Sequence, residues 1–110
     1  MERVIQGAVS VINSREPLSG KQVDELRAMS EAILEDGQPM VVFDMSELPL
    51  VTSDGLECLM DLKDDFGKRG GNLKVAGPTP LVQDILRITN VDQHFEIFER
   101  VSQAVGSFVR

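Results

Sequence analysis

The chain has 110 residues, 42% of them apolar and 26% charged, a balance that suits one packed core and excludes a disordered segment. Its formal net charge of −7 excludes the broad basic footprint of a general nucleic-acid binder and opposes docking on an anionic membrane surface. No apolar run reaches the roughly 18 residues of a spanning helix, and Met1-Glu2-Arg3-Val4 lacks the charged-then-apolar pattern of a signal peptide.

Residues Ala8 to Ile12 alternate apolar and polar side chains and read as a strand, preceded by a short one around Val4-Ile5. Ser19-Gly20-Lys21-Gln22 has the spacing of a capping box. Val23, Leu26, Ser30, Ile33 and Leu34 then recur at helical spacing, opposite Asp24, Glu25, Glu31 and Glu35, and Gly37 stops the helix. Met40 to Phe43 is a continuous apolar strand, short enough to be buried on both faces. A second helix is expected from Ser53 to about Arg69, with Leu56, Leu59, Met60 and Phe66 inward, Asp61, Asp64 and Asp65 outward, and Gly70-Gly71 at its end. Asn72 to Ala76 is the next strand, with Leu73 and Val75 on one side.

After the turn Gly77-Pro78, Thr79 caps a third helix with Pro80 at its first position. Its apolar face is Leu81, Val82, Ile85 and Leu86, and Asn90 caps its end. Phe95 to Phe98 is the last strand. Arg100 to Phe108 is a short final helix, with Val101, Val105 and Phe108 on one side. The order β-β-α-β-α-β-α-β-α predicts a single α/β domain over residues 1–110, with helices packed on a mixed sheet.

Chemistry-bearing residues are few. A single cysteine, Cys58, precludes an intramolecular disulfide, so a cytoplasmic location is expected. Cys58 falls inside the second helix and reads as a packed thiol. His94 is the one histidine, without a metal set or triad around it. There is no GxxxxGK[ST] or GxGxxG, so no cofactor is expected, and an enzyme or nucleotide binder is the least supported class. Asp44, at a strand end, is expected to satisfy loop N–H groups.

The segment with most to offer is Val41 to Met60. An apolar strand ends in Asp44, a loop runs to Val51, and Thr52-Ser53-Asp54-Gly55 opens the second helix. Thr52, Ser53 and Asp54 all suit an N-cap, and Asp54 stands three residues before Glu57 as in a capping pair. Taken alone, these residues read either as a helix cap or as an exposed hydroxyl site.

The order of these features resembles the STAS domain family, and more closely the bacterial anti-sigma factor antagonists. Their hallmark is Asp-Ser-(Ser/Thr)-Gly-Leu at the start of this helix, which aligns with Thr52, Ser53, Asp54, Gly55 and Leu56. Leu18-Ser19, Lys68-Arg69-Gly70-Gly71-Asn72-Leu73 and Leu86-Arg87-Ile88-Thr89-Asn90-Val91 extend the likeness over nearly the whole chain. The resemblance implies a phosphoacceptor at Ser53, with Thr52 second, and an interaction surface of Thr52, Ser53, Asp54, Gly55, Leu56 and Glu57. It implies a binding module, not an enzyme. The implied partner is an anti-sigma factor with serine kinase activity, bound while Ser53 is unmodified so that a sigma factor is released. A phosphatase would reset the switch.

Two positions depart from the hallmark. Thr52 stands where the family carries Asp, and Asp54 where it carries Ser or Thr. The segment is therefore either a switch with altered recognition or one held in a single setting. In the second case the chain would be a constitutive scaffold subunit of a signalling assembly or transporter complex. The outward acids Glu25, Glu31, Glu35, Asp61, Asp64 and Asp65 form a solvated face that could also steer a basic partner.

Overall fold

The computed structural model describes residues 1–109. Strands β1 (Glu2–Gln6) and β2 (Val9–Asn13) form a hairpin, antiparallel with Val4 opposite Val11, and Gly7 supplies the positive φ of the turn. Then β3 (Met40–Asp44), β4 (Asn72–Ala76) and β5 (Ile97–Phe98) add in parallel, giving a five-stranded mixed sheet in the order β1-β2-β3-β4-β5. Helices α1 (Lys21–Glu35), α2 (Ser53–Lys68) and α3 (Pro80–Ile88) are the crossovers, and α4 (Val101–Phe108) closes the chain. The expected fold class and element order are observed.

The unreversed strand order decides where the helices go. Right-handed crossovers that always step the same way must all lie on one face. That face holds the larger core, where Ile12, Val41, Phe43, Leu73 and Val75 meet Leu26 and Ile33 of α1, Leu59 and Phe66 of α2, and Val82 and Leu86 of α3. The other face would be bare without α4. There Ala104, with Val101, Val105 and Phe108 beside it, covers Val9, Val11, Val42 and Ala76. The continuous apolar reading of β3 is explained by this arrangement, since Val41 and Phe43 serve one core and Val42 the other.

Lys74 alternates with Leu73 and Val75 and so lies under α4, 7% exposed. Its ammonium pairs with Glu96 at 3.0 Å, donates to Ser107 Oγ at 2.7 Å and sits 4.2 Å from the Phe108 ring centroid. A lysine this deeply covered is tolerable only because those partners replace its hydration.

Several boundaries and caps differ from expectation. The final strand shortens to Ile97–Phe98, because Phe95 caps a 3-10 turn over Val91–His94 and its amide donates to Asp92 O. Ser19 and Gln22 do not form a capping box. Gly20 is the N-cap with φ 47, a left-handed value that takes Ser19 out of capping geometry. The Gln22 amide is directed to Glu16 at 2.6 Å. Thr79 does cap α3, accepting from Val82 N, and Asn90 adopts the left-handed conformation that follows a helix end. On α2 the inward residues are Gly55, Cys58, Leu59, Leu62 and Phe66, while Leu56 and Met60 lie half-buried at the margin.

Phe43 is fully buried at the sheet centre. Phe43→Ala should therefore destabilise the fold by about 3–5 kcal/mol. Urea denaturation should show this as a lower midpoint at an unchanged slope.

Candidate functional site

The segment after β3 is tied down before α2 begins. Asp44 Oδ1 accepts the Ser46 amide at 3.0 Å, Met45 N donates to Ala76 O at 2.8 Å, and Met45 and Leu48 are fully buried. Asp44 thus has the loop-satisfying role its position suggests. Val51 forms a parallel bridge with Leu18. Leu18 N donates to Leu50 O at 2.8 Å, and Thr52 N donates back to Leu18 O at 3.2 Å.

Gly55 lets α2 start against this clasp. A Cβ at position 55 would lie 2.3 Å from the Leu18 carbonyl oxygen and 3.1 Å from both Leu18 Cγ and Val51 Cγ1. Backbone cannot yield to such an overlap without moving the helix, so only glycine permits the approach.

The side chains at 52 and 54 complete the junction in a way the capping motif did not foresee. Thr52 is the N-cap, with no side-chain cap hydrogen bond, and Asp54 does not pair with Glu57. Asp54 Oδ2 instead accepts the Gly20 amide at 3.0 Å, joining the start of α2 to the start of α1. Asp54 Oδ1 accepts the Thr52 hydroxyl, which also lies 3.2 Å from Leu18 O. One hydroxyl proton serves both acceptors, and the ionised carboxylate is the stronger of them. The hydrogen bond from Thr52, with that from Gly20 second, holds the Asp54 carboxyl below its ordinary range.

Ser53 has no such engagement. It is exposed at the first position of α2, and its side chain makes no hydrogen bond to another described residue. Asp54 and Glu57 are exposed beside it, Thr52 and Leu56 are partly covered, and Gly55 is buried. The structure therefore brings Thr52 to Glu57 together on one helix start, with Thr52 occupied and Ser53 free.

The strand order adds a constraint. In open parallel sheets, ligand crevices form outside the carboxyl ends of strands where the order reverses. This order does not reverse, so the edge carrying Asp44, Ser46, Ser53 and Thr79 presents a continuous face of loops. Cys58 is fully buried inside α2, and burial pushes its thiol pKa up, the opposite of an activated thiolate. His94 is exposed at the end of the 3-10 turn, beyond the far end of α2. No group of three or more His, Cys, Asp or Glu side chains suited to a metal occurs among the described residues, and no helix among them is long and apolar enough to cross a membrane.

A sequence profile for the STAS domain matches residues 1–104. The chain belongs to the STAS domain family. Among curated proteins no sequence match reaches significance. Solved structures share the fold of this STAS domain at low identity. An anti-sigma-factor antagonist (STAS) domain protein from Planctomyces limnophilus is 16% identical with a TM-score of 0.87, covering 99% of this chain and 97% of that one. The anti-sigma factor antagonist SpoIIAA, solved in its unphosphorylated form, is 15% identical with a TM-score of 0.76, covering 99% and 96%. The STAS domain of a SulP transporter from Vibrio cholerae is 12% identical with a TM-score of 0.77, covering 96% and 84%.

The junction of this STAS domain yields two expectations. Gly55→Ala should destabilise by about 1–3 kcal/mol through overlap with Leu18. Gly67→Ala, on the same helix with open space around its Cβ position, should instead stabilise by about 0.5–1 kcal/mol. Urea titration of the pair checks the opposite signs. Asp54, with its folded-state pKa lowered, contributes stability above the unfolded carboxylate value of about 3.9 and loses it as pH falls through the folded value. Carboxyl-carbon NMR should place Asp54 below that value, and Thr52→Val should move it back up.

Proposed function

We propose that this STAS domain is a phosphorylation-regulated, cytoplasmic binding module of the anti-sigma factor antagonist type. Unmodified, it binds an anti-sigma factor that has serine kinase activity, and so frees a sigma factor. Phosphorylation of Ser53 ends that binding. The observation that carries this reading is the contrast at the start of α2, where the Ser53 hydroxyl is exposed and unengaged while the Thr52 hydroxyl is spent on Asp54 and Leu18. It favours Ser53 over Thr52 as acceptor. The description of SpoIIAA in an unphosphorylated form supports a switch of this kind in a protein of the same fold.

The physical effect of phosphate would fall on the complex more than on the domain. The group adds about −1.5 to −2 charges. At the N-terminus of α2 the helix dipole favours that charge by roughly 0.3–1 kcal/mol, and the fixed charge of Asp54 opposes it. A partner surface shaped for a neutral hydroxyl would have to bury an unmatched dianion, which is expensive. The continuous loop face suits a protein partner, and the acids on the outward sides of α1 and α2 would steer a basic one.

A constitutive scaffold role is the second reading, favoured by the permanent carboxylate of Asp54 next to Ser53 and by the fold shared with a transporter STAS domain. Partners recovered from native cells separate the two, a sigma-regulatory kinase supporting the first and transporter or scaffold subunits the second.

Incubation with the cognate kinase and ATP should add one phosphate at Ser53, located by mass spectrometry. Ser53→Ala should abolish the modification, and Ser53→Glu should weaken partner binding at least about tenfold, a change of 1.4 kcal/mol. An unmodified Ser53 together with full-strength binding by Ser53→Glu would eliminate the switch.

A further inference from the structure

A cleft of about 580 Å3 opens where the last turns of α2, the start of β4 and the 3-10 turn meet. It lies at the opposite end of α2 from Ser53. Its first α2 residues, Met60 and Lys63, lie roughly 10 and 15 Å along the helix from Ser53. The volume falls in the range of small-molecule sites, roughly 300–1,000 Å3.

Its walls offer donors in excess of acceptors. Lys63 Nζ donates to Asn72 Oδ1 at 2.9 Å and lies 5.5 Å from the Phe95 ring centroid. The same Asn72 oxygen accepts the Leu73 amide at 2.8 Å. Both neighbours are donors, which fixes the orientation of the Asn72 amide. Its oxygen is fully used, and its NH2 group makes no hydrogen bond to another described residue. Lys68 adds a second ammonium and His94 an imidazole at the rim, while Met60 supplies an apolar wall.

Several of the candidate acceptors are already committed. Asp64 pairs with Lys68 at 3.4 Å. Two of the carbonyls at the negative end of α2 are taken by backbone amides: Phe66 O accepts from Arg69 at 3.0 Å and Gly71 at 2.9 Å, and Gly67 O accepts from Gly70 at 3.0 Å. Two lysines against one aspartate give this lining a net positive charge in a chain whose total is −7.

We propose that this cleft binds a small organic oxyanion, a carboxylate or phosphate monoester. Lys63 and the Asn72 amide hold its charged oxygens, Lys68 provides the outer charge, and Met60 packs against its carbon skeleton. The site is separate from the Ser53 surface and stands whether or not that serine is phosphorylated.

The test is an amide NMR titration of the isotope-labelled protein with phenyl phosphate, using sodium chloride at equal ionic strength as the control. Saturable shifts are expected at residues 60–72 and 93–94, with Ser53 and its neighbours unmoved. Lys63→Gln should weaken binding about tenfold or more, the scale of one lost charge-assisted hydrogen bond. Asp64→Asn should tighten it by freeing Lys68, a direction that damage to the fold would not produce. If Lys63→Gln fails to fold, Asp64→Asn and the exposed Lys68→Gln decide between tightening and weakening. Shifts that stay linear to about 10 mM, that chloride reproduces, or that these variants leave unchanged would overturn the site.

Discussion

The approach of Gly55 to the Leu18 carbonyl is the contact on which the rest of the site depends. A helix can begin against a neighbouring backbone only where no Cβ intervenes. That approach fits the parallel bridge between Leu18 and Val51, which in turn sets Thr52 under the Leu18 carbonyl and Asp54 under the Gly20 amide. The loop before α1 and the loop before α2 therefore behave as one clasp. Ser53 is the member of the Thr52–Asp54 segment whose side chain makes no hydrogen bond to another described residue.

The clasp also explains why the exchange of acid and hydroxyl at positions 52 and 54 is compatible with the family fold. A carboxylate placed at 54 still reaches both the Gly20 amide and a hydroxyl at 52, so the junction keeps a charge-assisted bond although the residue types have changed places. What changes is the electrostatic setting of Ser53. A fixed negative charge now adjoins the exposed hydroxyl.

The sheet contributes through its unreversed order. Stepping always in one direction sends α1, α2 and α3 to one face and leaves the other to α4, whose hold includes the covered ammonium of Lys74. The same order leaves the carboxyl edge without a switch-point crevice. The cleft toward the other end of α2 arises from different geometry, where the helix ends at Lys68 and Gly70-Gly71 lead the chain into β4.

Much of this was legible in the chain. Apolar periodicity located the four α-helices among the described residues and the strands β2, β3 and β4, because a helix face and a strand buried on both sides leave distinct spacings. Thr79-Pro80 and Asn90 marked the limits of α3 through local backbone chemistry alone. The hallmark at Ser53-Asp54-Gly55-Leu56 pointed to the family and to the helix start that matters. Decided only by tertiary structure were the partners of groups far apart in sequence. Asp54 was legible as a cap, but its bond to Gly20 spans 34 positions. Lys74 was legible as a strand residue, but not as the buried anchor of α4. Leu56 and Met60 carried the spacing of core residues yet sit at its margin, since Cys58 and Leu62 face the sheet more squarely. Local sequence determines which backbone conformation a segment prefers, whereas the identity of a side chain's distant partner is set only when the sheet brings the two loops together.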